Sequence, residues 1–361
     1  MVRLSPMTNR ASILSLVSLS LAVSLAACSS SGSSTDAGGD GAAGSSPDGG
    51  GAGTGSDGGG DTNADRPADL APSDASGDVA LDGSSDGVTS DALDGGDGGA
   101  TKEVSIQFKA MVGTSAFACG TTYPAQGSAS TTVHPLDFRF YVQDVRLIDA
   151  ADHEVPLVLE DRAPWQTPDV ALLDFEDGSG DCADGNAVMN KVVTGTVPAG
   201  TYKGIVFSNG VPAKLNHADP LTLPAPLQVG VMTWGWLYGF KFVKAELEAT
   251  TAVGDAGAGV GLIHLGATGC DNAVDGGEPD FGGPPKTACT NQNRNEVRLT
   301  GFDPTSRAII ADIGAIFAET DLSKTSQCHS AGAACPSIFK ALGVDLTTGA
   351  KLSTQTAYRA E

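Results

Sequence analysis

Hydrophobic and polar residues alternate along several short stretches in the C-terminal part of the chain. The stretches are 104–110 (VSIQFKA), 137–147 (DFRFYVQDVRL), 202–208 (YKGIVFS), 240–247 (FKFVKAEL) and 295–302 (NEVRLTGF). Period-two runs of β-branched and aromatic residues, separated by Gly, Pro, Asn and Asp, are typical of strands. Helical signals are confined to 312–322 and 336–342. The pattern predicts an all-β protein: one β-sandwich-like domain over residues 101–361 with a few short helices, held by disulfides.

The N-terminus, residues 1–27, has the features of a lipoprotein signal peptide. Arg3 and Arg10 precede an apolar run, 13–27, that is too short to cross a bilayer as a helix. The run ends in LAAC, which resembles the bacterial lipobox and predicts lipidation of Cys28; the alternative is an ordinary signal peptide with a coincidental cysteine. Ser29 after this cysteine favours the outer membrane. We therefore expect an exported lipoprotein that faces the periplasm or the cell surface.

Residues 28–100 have the composition of a disordered tether. Residues 29–100 contain fourteen Asp, one Arg and no aromatic residue. Such a segment cannot bury enough apolar surface to offset the entropy of ordering it. The whole chain carries a formal charge of −22, which argues against nucleic acid or anionic lipid as a partner and favours cations or a basic protein.

Six cysteines remain when Cys28 is set aside. They are Cys119, Cys182, Cys270, Cys289, Cys328 and Cys335. An even number in an exported chain predicts three disulfides, and fifteen pairings are possible. Local closure favours 328–335 and 270–289, which leaves 119–182, although sequence alone does not decide. A thiolate metal cluster is the rival, but the chain lacks CxxC spacing.

The common catalytic motifs are missing from the sequence. There is no G-x-S-x-G, H-E-x-x-H, P-loop or CxxCH motif, so we expect a protein that is not an enzyme. Among the five histidines, His264 lies within a predicted strand and shares a face with Leu262. His217 lies in the polar turn LNHADP, and His329 lies in the small loop between Cys328 and Cys335. Two of the three tryptophans, Trp234 and Trp236, lie in the segment 229–242 (VGVMTWGWLYGFKF).

Several of these segments together resemble the MbnP-like family, also called metallo-mystery pair system four-Cys motif proteins. The resemblance runs from about residue 104 to 346 and rests on NHADP, APL, W-x-W, G-x-K-F and HLGATGC, in that order. It implies an exported copper-binding protein whose partner is a MauG-like di-haem cytochrome c peroxidase. Related copper proteins hold Cu(I) with histidines and a tryptophan oxidised to kynurenine.

The resemblance also implies which residues form the site. His217 and His264 match the family's histidines, and imidazole nitrogens suit Cu(I). Trp234 or Trp236 would be the oxidised residue, with Trp165 as a rival, and the intervening Gly235 would allow a close approach to the backbone. Family members commonly read W-x-W-Q-x-G-Y-K-F, whereas Leu237 and Phe240 stand here in place of the Gln and the Tyr. Loss of a polar partner predicts a weaker copper site.

A second hypothesis is a non-catalytic surface module, for example a glycan-binding β-sandwich lipoprotein, whose tryptophan pair packs in the core. The two hypotheses differ in what surrounds the indoles. Fully buried tryptophans with no histidine within ligand reach would favour the surface module, whereas a neighbouring gene for a di-haem peroxidase would favour the copper protein.

Overall fold

The computed structural model describes residues 99–219, 221–252, 257–273 and 277–361. The predicted signal peptide at 1–27, lipidation of Cys28 and nearly all of the 28–100 tether lie outside these ranges. Among the described residues, no helix is long and apolar enough to cross a membrane.

Short and long strands make up most of the regular structure. The strands are β1 (Thr101–Val112), β2 (Ser115–Ala116), β3 (Tyr123–Gln126), β4 (Thr131–Asp149), β5 (Glu154–Pro156), β6 (Val158–Leu159), β7 (Ala171–Asp174), β8 (Val192–Pro198), β9 (Tyr202–Asn209), β10 (Val243–Ala252), β11 (Ala258–Leu265), β12 (Glu296–Thr300), β13 (Ile309–Asp312), β14 (Ser326–Cys328) and β15 (Tyr358–Ala360). The helices are α1 (Ala213–Asn216), α2 (Ile313–Ile316) and α3 (Cys335–Leu342), and two 3₁₀ turns span Ala225–Leu227 and Gly230–Met232.

The strands of the described ranges form two sheets that enclose one hydrophobic core. The smaller sheet has the order β15-β13-β1-β8-β6, with β2 on β1, and the larger has the order β12-β9-β4-β10-β11-β14, with β3, β5 and β7 on β4. Phe108 of the smaller sheet meets Phe140 and Phe207 of the larger one at ring-centroid distances of 5.9 and 5.7 Å. Their buried side chains belong to a single cluster. The predicted all-β sandwich is confirmed.

The alternating stretches all contribute strands, because their apolar positions face the core. In β1, for example, Val104, Ile106 and Phe108 are buried while Ser105 and Gln107 are exposed. Several boundaries differ from prediction. Strand β10 begins only at Val243, since residues 240–242 belong to the preceding loop.

The helix predicted at 312–322 is only four residues long. Asp312 caps it by accepting a hydrogen bond from the Ala315 amide at 3.1 Å. Further along, the Thr320 carbonyl accepts a hydrogen bond from the Ser128 amide at 2.8 Å. After α2, the rest of the predicted helix is replaced by turns that form hydrogen bonds with another part of the chain.

The predicted disulfide pairing is confirmed. Cys119 pairs with Cys182, Cys270 with Cys289, and Cys328 with Cys335. The six sulfurs are therefore not free thiolates, and the rival thiolate cluster is ruled out for these residues.

The larger sheet is covered on both faces, and its second face carries polar side chains. Phe138 and Phe140 point into the inter-sheet core, so Arg139 between them points to the opposite face. Strand register aligns Arg139 with Lys244 and Lys244 with His264 across β4, β10 and β11. This polar face, under the loops that follow β7 and α1, holds the candidate site.

Candidate metal centre

The W-G-W segment forms a tight loop closed by its own backbone. The Trp234 amide donates to the Gly239 carbonyl at 3.0 Å, and the Gly239 amide donates to the Gly235 carbonyl at 2.8 Å. Gly235 has a φ of +95°, a conformation that favours glycine, whereas no described atom lies within 4 Å of where its Cβ would be. Gly235 is therefore required for the turn, and no close approach of other described atoms demands a glycine there.

Trp236 and His217 hold each other through two hydrogen bonds. The indole Nε1 of Trp236 donates to the His217 carbonyl at 2.8 Å, and His217 Nδ1 donates to the Trp236 carbonyl at 3.1 Å. His217 directly follows α1, and the Asn216 amide donates to its Nε2 at 2.8 Å. Both ring nitrogens of His217 therefore have protein partners. Burial lowers the pKa of His217, which favours the neutral ring.

His264 offers a nitrogen that no described residue engages. It lies in β11 with only 8% of its surface exposed, and its Nε2 is 2.5 Å from Glu246 Oε1. The carboxylate accepts a hydrogen bond from the Nε2–H group, so Nδ1 carries the lone pair. Nδ1 is buried and has no hydrogen-bond partner among the described residues. A buried lone pair without a donor is what a metal ligand needs.

Trp234 packs beside this histidine. Its ring centroid lies 6.3 Å from that of His264. A Cβ on Gly266 would lie 2.3 Å from Cζ3 of Trp234, so the glycine of HLG leaves room for the indole. Lys241 Nζ lies 5.8 Å from the centre of the indole ring.

His329 lies next to His264, which sequence analysis did not predict. The two ring centroids are 4.9 Å apart. Burial is the main cause that lowers the pKa of His329, so this ring also favours the neutral form. The sequence indicated only that His329 falls inside a disulfide loop. The signal that finds it is the parallel pairing of β11 with β14, which joins distant parts of the chain.

A chain of charged groups continues from His264 into the polar face. Glu246 lies 3.3 Å from Lys244, and Lys244 contacts Asp137, which pairs with Arg139. Burial alone would raise the pKa of Glu246, but the hydrogen bond from His264 and the Lys244 ammonium lower it below its usual value. Glu246 is thus held as a carboxylate that orients His264.

A pocket of about 300 Å³ opens beside Trp234 and His329. Tyr238 and residues 267–269 complete its wall. Trp234 and His329 are therefore reached from solvent through this pocket. Trp165, the rival for modification, instead lines a different pocket with Arg162 and Asn190, and no histidine is among that pocket's described lining residues.

The predicted ligands His217 and His264 both lie at the W-G-W loop, one beside each tryptophan. No hydrogen bond or ring contact in the described ranges joins the two histidines directly. The described side chains close enough to share an ion with His217 are Cys270 and Cys289, but these two sulfurs form a disulfide. The residues fit a copper ion best at His264 Nδ1, the free nitrogen.

Comparison with known proteins agrees with the resemblance seen in the sequence. The MbnP family profile matches residues 101–330. Among solved structures, the chain is similar to MbnP from Methylosinus trichosporium, with 28% sequence identity and a TM-score of 0.62, over 72% of this chain and 98% of that one. No curated protein sequence matches. Because the family match covers more than half of the chain, this protein belongs to the MbnP family of copper-associated proteins.

Proposed function

We propose that the protein is an exported, lipid-anchored copper-binding protein, and that a partner enzyme completes its site by oxidising one indole of W-G-W. The observation that carries the proposal is the free, buried Nδ1 of His264 beside Trp234. Copper in the Cu(I) state is well served by a few neutral nitrogen ligands. His264 offers Nδ1. His217 would offer Nε2, and that nitrogen would give up the hydrogen bond that it accepts from the Asn216 amide.

Of the two indoles, Trp234 is the better candidate for oxidation. The Trp236 indole nitrogen is engaged with the His217 carbonyl, so Trp236 has a structural role in the loop. Trp234 lines the open pocket and lies beside His264. Oxidative opening of its pyrrole ring by two molecules of peroxide gives N-formylkynurenine and water. Hydrolysis then releases the lost carbon as formate and leaves kynurenine, with its aromatic amine beside the imidazole. The amine is a nitrogen ligand that intact indole lacks.

The partner that fits this chemistry is a MauG-like di-haem cytochrome c peroxidase, with this protein as its substrate. Such an enzyme draws electrons from the tryptophan and passes them to peroxide. The protein itself would bind copper without turning over a substrate. Leu237 and Phe240, which replace polar family residues, are both buried, so neither supplies a polar partner to the site.

The decisive experiment compares protein made with and without the partner peroxidase. With the peroxidase, we expect peptide mass spectrometry to find kynurenine at position 234, together with near-ultraviolet absorption and bound copper. Without it, the tryptophans should stay intact and copper binding should be weak. Trp234→Phe should abolish both the modification and the tight binding.

His153→Ala is a suitable control for the histidine variants. His153 is exposed, and its ring contacts only Asp149 among the described residues. His264→Ala should lose copper while His153→Ala retains it. The proposal fails if native protein carries three unmodified tryptophans and His264→Ala binds Cu(I) as the wild type does.

The alternative of a surface binding module is less well supported. Both indoles are only partly buried, and each meets a histidine. These surroundings differ from those stated above for the surface module, which were fully buried indoles with no histidine within reach. The glycan-binding hypothesis predicts instead that oligosaccharide binding depends on Trp234 in metal-free protein.

The membrane anchor is a separate part of the proposal, supported by the LAAC sequence that ends at Cys28. Cys28→Ser should release the protein from the outer-membrane fraction because no diacyl group would be attached. Fractionation of the native host measures this, with circular dichroism to show an unchanged fold. A variant that still sediments with membranes would contradict the lipobox interpretation.

A further inference from the structure

We propose that His329 is an additional ligand of the copper ion held by His264. This inference rests on the proposed copper function and extends its ligand set to a residue outside the motifs that carry the family resemblance. Strand β14 runs parallel to β11, with Ile263 opposite Cys328. His264 follows Ile263 within β11 and His329 directly follows the end of β14, so the register brings His264 and His329 side by side. Their rings meet edge to face at 4.9 Å between centroids.

The backbone around His329 is fixed on both sides. Cys328 before it is bonded to Cys335, which begins α3. Ser330 after it donates its hydroxyl to the His264 carbonyl at 2.7 Å and accepts a hydrogen bond from the Gly266 amide at 2.7 Å. Ser330 is itself buried and has a φ of +65°. These contacts bind the His329 segment to the strand that carries His264, so the two imidazoles are held together before any ion arrives.

Each imidazole of the pair has a nitrogen that no described residue engages. Nδ1 of His264 is buried without a partner, and the His329 side chain makes no hydrogen bond to any residue in the described part of the chain. In His217, by contrast, Nδ1 is engaged by Trp236 and Nε2 by Asn216. A Cu(I) ion entering through the pocket therefore meets His329 at the pocket wall and His264 behind it. Two neighbouring imidazoles are a ligand set that suits Cu(I).

The experiment uses the full mature protein, produced with its partner peroxidase, and Cu(I) itself as the probe. Competition with a chromophoric Cu(I) chelator measures affinity for the wild type, His329→Ala, His264→Ala and His153→Ala. We expect His329→Ala to weaken binding at least about tenfold, since even residues that only support a ligand have effects of 10–100-fold. His153→Ala should bind as the wild type does.

A second measurement does not depend on affinity. X-ray absorption at the copper edge reports imidazoles through their multiple-scattering features, and His329→Ala should show one imidazole fewer than the wild type. A peptide map that finds the Cys328–Cys335 bridge, with an unchanged unfolding midpoint, excludes misfolding as the cause.

The outcomes separate the two proposals. If His264→Ala loses copper while His329→Ala keeps wild-type affinity and imidazole count, the copper function stands and the inference about His329 is overturned. If neither variant changes copper binding, the proposed site itself is wrong, and the inference falls with it.

Discussion

The hydrogen-bond partner of each imidazole decides which of its nitrogens is free. His217 has the Trp236 carbonyl on Nδ1 and the Asn216 amide on Nε2, and His264 has Glu246 on Nε2 alone. The alternation of β11 indicated only that His264 shares a face with Leu262. It could not indicate Glu246 as the partner, because that contact depends on the register between β10 and β11.

The role of Glu246 is testable with a matched control on the same strand. Glu246→Gln removes the charge that fixes the proton on His264 Nε2, so copper affinity should fall about 10–100-fold. Glu248→Gln changes a carboxylate two residues away that contacts His134 at 3.1 Å, and it should leave copper affinity unchanged. Chelator competition measures both variants. Equal affinities for the two would show that Glu246 does not orient the ligand.

Among structural elements, the long strands were predictable and the loops around the site were not. Alternation located β1, β4, β9, β10 and β12, because each of these strands buries apolar side chains in the inter-sheet core. Strands of two or three residues, such as β2 and β6, are too short to show a period. The pairing of β14 with β11 links residues more than sixty positions apart, and no local pattern encodes it. His329 was therefore missed as a neighbour of His264.

The packing of the W-G-W loop on β11 gives a prediction at this scale. Gly266→Ala would place a methyl group 2.3 Å from Cζ3 of Trp234 and 2.7 Å from the Phe240 carbonyl oxygen. The loop must shift, which should cost about 1–3 kcal/mol of unfolding free energy and displace Trp234 from His264. Denaturant unfolding and tryptophan fluorescence measure the two effects.

Gly230→Ala is the control for this variant. A Cβ at Gly230 meets no described atom within 4 Å, and its φ is not in the positive region. It lies in the same loop, so it should leave fluorescence and copper binding unchanged. If Gly266→Ala behaves in the same way, the contact between Gly266 and Trp234 does not position the indole.

For the whole molecule, the sequence predicted the architecture from local alternation. It favoured two disulfides because they close short loops, and the long-range pair Cys119–Cys182 remained as the third. The family resemblance supplied the association with copper. What the sequence could not show is the buried charge network behind the site, which brings together β4, β7, β10 and the loop after β7. Arg139 contacts Asp137 and Glu176, and all three side chains are almost fully buried. These charged residues, spread over more than a hundred positions, have no common sequence signal.

This network makes the stability of the molecule depend on pH in a direction unusual for carboxylates. Burial raises the pKa of Glu176 from 4.5 to about 7 and that of Asp174 from 3.8 to about 6, and the Arg139 charge opposes both shifts only in part. Neither oxygen of Glu176 has a hydrogen-bond donor among the described residues. In the interval between the two pKa values of each group, the folded state binds more protons than the unfolded chain. The stabilisation of the folded state that these groups contribute is therefore present at low pH and is lost as the pH rises to about 7.

Glu176→Gln removes the larger of these titrations while Arg139 keeps Asp137 as its partner. Relative to the wild type, the variant should gain stability as pH is raised, because the wild type must ionise a buried carboxyl group and the variant need not. Urea unfolding midpoints at about pH 5 and about pH 8 measure the difference, since a change in midpoint at constant slope reports stability. Glu278→Gln, at an exposed position, is the control and should follow the wild-type profile. If Glu176→Gln also follows that profile, Glu176 does not titrate within this interval, and Arg139 holds it ionised in the folded protein.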